Sequence, residues 1–202
     1  PGTEIWTKLA LLTGPRTNHC AVLLNSGLVL IAGGAAQSDV AGELSSAEIF
    51  DPESGTFRAT GAMREARRAF RLVVLPDGRP MAIGGARGPL NGRSNELARV
   101  EVFDPATETW SEAAPLREGR WGPSATVLRH GTVLVTGGMH GRVGRRRSVE
   151  IYDPAQNAWS AGPPLEQARN GHRDILLDDG RVLIVGGFSG RDYLVSCEIY
   201  SR

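Results

Sequence analysis

Four arginines and four glutamates recur through this 202-residue chain in a fixed order, and these are the residue types that could most plainly act as a set. Arg16, Arg67, Arg120 and Arg169 each shortly precede an apolar run, and Glu48, Glu101, Glu150 and Glu198 each begin a Glu-Ile/Val-Phe/Tyr triplet. A guanidinium is a planar fork that pairs bidentately with a carboxylate. A charge repeated at the same place in every unit is expected to be structural, so the sequence predicts an Arg–Glu pair in each unit or between neighbours. Residues suited to catalysis are not grouped in the same way. His19, His130, His140 and His172 lack metal-ligand spacing, and no nucleophile motif, metal-binding helix motif or phosphate loop is present. No cofactor and no metal are expected. Cys20 and Cys197 fall in strands of different type and are expected to be buried free thiols.

The elements that position these charges follow from a glycine doublet. Gly33-Gly34, Gly84-Gly85, Gly137-Gly138 and Gly186-Gly187 are spaced by 51, 53 and 49 residues, and each closes a short apolar run. A period of about 50 residues marks an array of one supersecondary unit. After each doublet comes the Glu-x-aromatic triplet. Three of the four triplets continue into Asp-Pro (Asp51-Pro52, Asp104-Pro105, Asp153-Pro154), a turn opener, and an aromatic follows seven positions after the first, at Phe57, Trp110 and Trp159. Each unit therefore reads as four strands: a starts near His19, Phe70, Pro123 or His172, b runs into the doublet, c carries the Glu, and d carries the second aromatic. No stretch keeps a 3.6-residue apolar period. A lone four-stranded sheet cannot bury both faces, so successive sheets must stack, and radial closure protects their edges.

Doublet, Glu-x-aromatic and following aromatic, in step over essentially the whole chain, are similar to the kelch repeat, and the chain resembles a kelch-type β-propeller. The expected fold is all-β, with four four-stranded blades in one domain over 1–202 and repeats at about 16–62, 67–115, 120–164 and 169–202. The resemblance implies that strand a lines a central channel and strand d lies outermost. Residues 4–10, with Trp6, read as a strand d without its partners, while Tyr200 ends a strand c. The N-terminal strand is therefore expected to complete the last blade. Kelch propellers usually have more than four blades, so a half-ring completed by a second chain stands beside a self-closed ring; monomer and homodimer are both open, as is a piece cut from a longer propeller.

In a propeller blade the d–a and b–c connections share one face. Sorting charges by connection puts most arginines there, among them Arg64, Arg68, Arg71, Arg87, Arg93, Arg142, Arg145, Arg146, Arg147 and Arg173. The opposite face receives Asp51, Asp77, Asp104, Asp153, Asp178 and Asp179. Such an offset focuses positive potential over the channel mouth. An acidic or carboxylate-bearing protein or peptide is the expected partner; with a net charge of +1 and few aromatics, nucleic acid is disfavoured. Positions that differ between blades are the recognition candidates. Thr17, Arg68, Trp121 and Asn170 follow the recurring arginines, and Arg87, Met139, His140, Phe188 and Ser189 follow the doublets. In kelch domains that bind proteins, these two loop sets supply the contacts. Trp121, Met139, Phe188 and Tyr193 add apolar anchors among the arginines, whereas the run from Arg142 to Arg147 reads first as a solvated loop.

A hydrophobic content of 41% suits a globular chain, and neither a targeting segment nor an 18-residue apolar stretch is present, so the chain is expected to be soluble, with its compartment open. A binding scaffold is the expected function and an enzyme is not. Galactose oxidase and some sugar-modifying enzymes share kelch-like propellers, but the copper-ligating Tyr-His-Cys set of the oxidase has no counterpart here. An excised or engineered array without its own activity is the remaining alternative.

Overall fold

A computed structural model describes residues 4–37, 42–88, 95–141 and 144–201. Arg93 and Arg142 of the charge assignment lie outside them. Among the described residues every regular element is a strand, and the strands form four successive blade sheets and two separate two-stranded hairpins. Blade 1 contains β1 (Cys20–Leu23), β2 (Val29–Ala32), β3 (Ala47–Asp51) and β4 (Thr56–Thr60). Blade 2 contains β5 (Arg71–Val74) and β6 (Pro80–Ile83), a small hairpin of β7 (Ala86–Arg87) and β8 (Asn95–Glu96), then β9 (Val100–Asp104) and β10 (Thr109–Ala113). Blade 3 repeats this with β11 (Ser124–Val127), β12 (Val133–Thr136), the hairpin β13 (Met139–His140) and β14 (Gly144–Arg145), β15 (Val149–Asp153) and β16 (Ala158–Gly162). Blade 4 has β17 (Arg173–Leu176), β18 (Val182–Val185) and β19 (Cys197–Tyr200). All pairings are antiparallel between neighbours in the order a-b-c-d.

The repeat residues register these strands. The two aromatics of each of the first three units face each other across strands c and d, Phe50 with Phe57, Phe103 with Trp110 and Tyr152 with Trp159, at centroid separations of 4.7, 5.1 and 5.0 Å. Such tilted pairs add to the area they bury. Each Asp of Asp-Pro caps its turn: Asp51, Asp104 and Asp153 accept from the backbone N–H of Glu53, Ala106 and Ala155. Packing between blades makes three cores in series. Leu30, Ile49, Phe70 and Phe103 join blades 1 and 2; Met81, Val102, Val133 and Tyr152 join blades 2 and 3; Leu134, Val149, Val182 and Ile184 join blades 3 and 4.

The inner strands pack in the same sequence, β1 on β5, β5 on β11 and β11 on β17, and no comparable packing joins β17 to β1. The described blades form an arc. The expectation that residues 4–10 complete the last blade is not met, because among the described residues β19 has β18 as its only ladder partner and residues 4–10 pair with no strand. The reason is that the arc does not close: blade 4 is not packed against blade 1, to which this segment leads through the Thr13 N–H and hydroxyl bonds to Glu48 of β3. Trp6 is fully exposed. Cys197, expected to be buried, is exposed on the uncovered side of blade 4, and both cysteines are free.

Candidate functional site

The recurring charges form one repeated frame. Arg16–Glu48, Arg67–Glu101, Arg120–Glu150 and Arg169–Glu198 are each 2.6 Å ion pairs between nearly buried side chains. Every arginine also donates to the carbonyl of the first doublet glycine, at Gly33, Gly84, Gly137 and Gly186. The carboxylates accept backbone N–H groups of the d–a loops, from Thr13, Arg64, Arg117 and Glu166. Burial opposes ionisation of Glu48 and Glu198, yet these hydrogen bonds together hold both pKa values below the ordinary carboxylate range. The guanidinium of Arg67 is shifted down by burial, against the attraction of Glu101.

Above this frame the variable residues pair one blade at a time, between the end of its d–a loop and the start of its b–c loop. Isolated bridges join Thr17 to Ala35, Arg68 to Ala86, Trp121 to Met139 and Asn170 to Phe188. The next residue in each blade, Asn18, Ala69, Gly122 and Gly171, has φ of 53°, 50°, 59° and 67°. This left-handed turn lets each N–H reach the preceding blade: Ala69 donates to Asn18, Gly122 to Ala69 and Gly171 to Gly122, at 2.9, 2.7 and 3.0 Å. A backbone collar thus fixes the spacing of the variable side chains.

The predicted site residues sort differently within this geometry. Trp121, Met139, Asn170 and Phe188 come together on blades 3 and 4. Phe188 stacks on Tyr193 at 5.1 Å, and Tyr193 is almost entirely exposed. Arg145 of β14 crosses to blade 4, its guanidinium 4.7 Å from the Phe188 ring centroid and its Nε bonded to Asn170 Oδ1. The indole N–H of Trp121 is buried without a partner among the described residues. His140 lies 3.9 Å from Glu96, which also accepts the Gly141 N–H and so stitches the blade 3 hairpin to blade 2. Ser189 closes the turn to Asp192, while Arg87 is half exposed and pairs with Glu65. Thr17 stays in its bridge on blade 1.

Arg68 lies elsewhere. It is completely buried, 3.3 Å from Glu43 of blade 1, and donates to the Gly88 carbonyl, so it joins two blades where an accessible contact was expected. Nor is the described part of the basic run a solvated loop: Arg145 lies on Phe188, Arg146 pairs with Glu118 at 2.9 Å, and Arg147 donates to Leu165.

Sequence reasoning did not anticipate a buried polar cluster between blades 3 and 4. His172 Nε2 and Asp174 Oδ2 each lie 2.7 Å from Thr136 Oγ1, and Ser124 Oγ accepts the Asp174 N–H. Burial, reinforced by Arg169, Arg71 and Arg173, pushes His172 down to about 3; burial also raises Asp174 to about 6, against the hydrogen bond from Thr136. His172 opens a strand a, as His19 does, but only structure brings Thr136 beneath it. Among the described residues no group of three or more His, Cys, Asp and Glu side chains could hold a metal ion, and no helix is long and apolar enough to cross a membrane.

Comparison with known proteins agrees with this architecture. The family model for the Kelch motif matches residues 67–117 and 120–166, blades 2 and 3. The chain is 29% identical over 138 residues to Kelch-like protein 36 of Bos taurus, covering 67% of this chain and 21% of that protein. Kelch-like protein terF of Aspergillus terreus is 29% identical over 129 residues, 62% of this chain and 28% of the relative. Alpha-scruin of Limulus polyphemus is 27% identical over 122 residues, 60% and 13% respectively. The chain thus spans about a fifth of the length of the Kelch-like relatives it matches first. The doublet and the Arg–Glu pair recur in all four blades and the facing aromatics in three, and on that repeated frame the chain carries the Kelch motif in blades 2 and 3 and is similar to kelch-repeat proteins.

Proposed function

We propose that this propeller is a binding scaffold for an acidic protein or peptide, held at the channel mouth of blades 3 and 4. The observation that carries the reading is the Arg145–Phe188–Tyr193 stack beside Asn170: a guanidinium with no carboxylate in ion-pair distance among the described residues, lying on the partly buried Phe188, whose partner Tyr193 is exposed. Aromatic and arginine side chains on a rigid support are the usual anchors of an interface. Arg71 and Arg173, at the starts of β5 and β17, add positive charge on the channel side, each donating to the carbonyl of its own preceding residue. Rigidity comes from the collar and the stitched hairpins, which lower the ordering cost of binding.

A displayed random-peptide library selected on the immobilised protein tests this. Enrichment of Asp and Glu is expected, with capture lost at least tenfold in Arg145→Glu and Tyr193→Ala while the melting curve barely moves. Selection of peptides without acidic enrichment, or capture that survives both substitutions, overturns the reading.

A further inference from the structure

Three equivalent positions line each junction between blades: the last residue of strand b in one blade, and the residues just before and just after the first of strand a in the next. Between blades 1 and 2 these are Ala32, Phe70 and Leu72, members of one buried core. Between blades 2 and 3 they are Ile83, Pro123 and Ala125. Between blades 3 and 4 they are Thr136, His172 and Asp174, with both titratable side chains fully buried. Two junctions thus close with apolar residues where the third holds a hydroxyl, an imidazole and a carboxylate. Burying such groups costs stability that apolar residues of similar size do not. The polar trio is therefore not a requirement of the scaffold.

Its hydrogen bonds have two arrangements. Thr136 Oγ1 lies 2.7 Å from both His172 Nε2 and Asp174 Oδ2, yet a hydroxyl has a single proton to give. While Asp174 is a carboxylate it can only accept, so the hydroxyl donates to it and His172 must donate from Nε2. His172 Nδ1 is then a bare acceptor, buried with no partner among the described residues. A proton that binds Nδ1 can be relayed: the imidazole passes its Nε2 proton to Thr136, and Thr136 passes its own to Asp174 Oδ2. In the end state His172 is the Nδ1–H tautomer, the hydroxyl donates to Nε2, and a neutral Asp174 donates to Oγ1. The balance is a single added proton, which ends on Asp174, and His172 is uncharged before and after.

We propose that Thr136, His172 and Asp174 form a proton switch inside the blade 3–4 junction, in which protonation of Asp174 reverses the Thr136 hydroxyl and moves the His172 proton from Nε2 to Nδ1. The surrounding groups favour this over a charged imidazole. Arg71 of β5, Arg173 of β17 and Arg169, itself paired with Glu198, face the trio, and Ser124 of β11 accepts the Asp174 N–H. Burial and these positive charges hold His172 down at about 3, whereas burial raises Asp174 to about 6, so acidification reaches Asp174 first. The switch lies against the doublets that lead into the variable loops. A Cβ on Gly137 would meet His172 Cε1 at 2.7 Å, and one on Gly187, the residue before Phe188, would meet His172 Cβ at 2.9 Å. This proposal is independent of the binding reading.

Nitrogen NMR of the isotope-labelled protein tests it, because a bare ring nitrogen and an N–H resonate in separate regions. Spectra are compared at about pH 4.5 and about pH 7.5, on either side of the Asp174 value of about 6. The His172 signals are those missing from His172→Phe. In the parent, Nε2 is expected to carry the proton at the higher pH and Nδ1 at the lower, the two resonances exchanging regions. In Asp174→Asn a single tautomer is expected throughout. A proton on Nε2 at both pH values, a doubly protonated His172 at the lower one, or an exchange that persists in Asp174→Asn overturns the proposal.

Discussion

Arg67 and Glu101 sit 2.6 Å apart with both side chains essentially removed from solvent, and the same guanidinium donates to the Gly84 and Arg99 carbonyls. One side chain therefore holds strand b, the approach to strand c and the carboxylate of strand c in a single arrangement. Repeated in every blade, this couples the doublet to the ion pair. Breaking a buried pair by removing one partner strands the other charge, at a cost of about 3–5 kcal/mol.

Glu101→Gln is therefore expected to destabilise the protein by a large part of that amount, read as a fall in the urea midpoint. The neutral amide keeps the shape but cannot balance Arg67, and its NH2 replaces one of the two oxygens that accept the Arg64 and Glu65 N–H groups. An unchanged midpoint would show that the pair contributes nothing net.

The doublets make a second, steric prediction. A Cβ built on Gly84, at φ +66°, would lie 2.6 Å from the Arg120 carbonyl oxygen of the next blade, whereas one on Gly14 meets nothing within 4 Å. Gly84→Ala should cost more than about 2 kcal/mol, combining left-handed strain with a clash against backbone that cannot yield. Gly14→Ala should stay within about 0.5 kcal/mol of the parent. Equal melting temperatures for the two variants would refute the close-approach account.

Arg68 calls for a stability test in place of a binding test. It is fully buried and reaches Glu43 across the blade 1–blade 2 junction, so Arg68→Ala leaves a largely buried carboxylate without that partner. A loss on the order of 2 kcal/mol is expected, with peptide capture at blades 3 and 4 retained once the variant is folded. Loss of capture at full stability would return Arg68 to the binding surface.

These cases also mark what the sequence could reveal. Features repeated in every unit were legible, because identical neighbours impose identical contacts: the doublets, the Arg–Glu pairs and the facing aromatics all stand where the period places them. Features used once were not. Arg68, Trp121 and Asn170 share a register position, yet one is buried in an ion pair while another accepts from Arg145, since the outcome depends on whether Glu43 or Phe188 lies across the junction. Residues 4–10 read as a strand d yet pair with no strand, since blade 4 is not packed against blade 1, a relation that spacing along the chain does not encode.

The His172–Asp174 cluster predicts a pH response that only its variants expose. His172 is depressed to about 3, so between that value and its unfolded value near 6.5 the unfolded chain binds a proton that the native chain does not; stability from this group is lost as pH falls through that window. Asp174 is raised to about 6 from 3.8, so the native chain keeps a proton that the unfolded chain has released, and stability from this group is lost as pH rises from about 4 to 6. Between about pH 4 and 6 the two slopes oppose and nearly cancel, each being worth about 1.4 kcal/mol per pH unit. Relative to the parent, His172→Phe, which copies Phe70 of blade 2, should become progressively less stable from pH 4 to 6. Asp174→Asn should become progressively more stable over the same range. Urea unfolding of the three proteins at half-unit pH steps reads the differences directly, and parallel stability curves would show that neither group titrates differently in the native and unfolded chains.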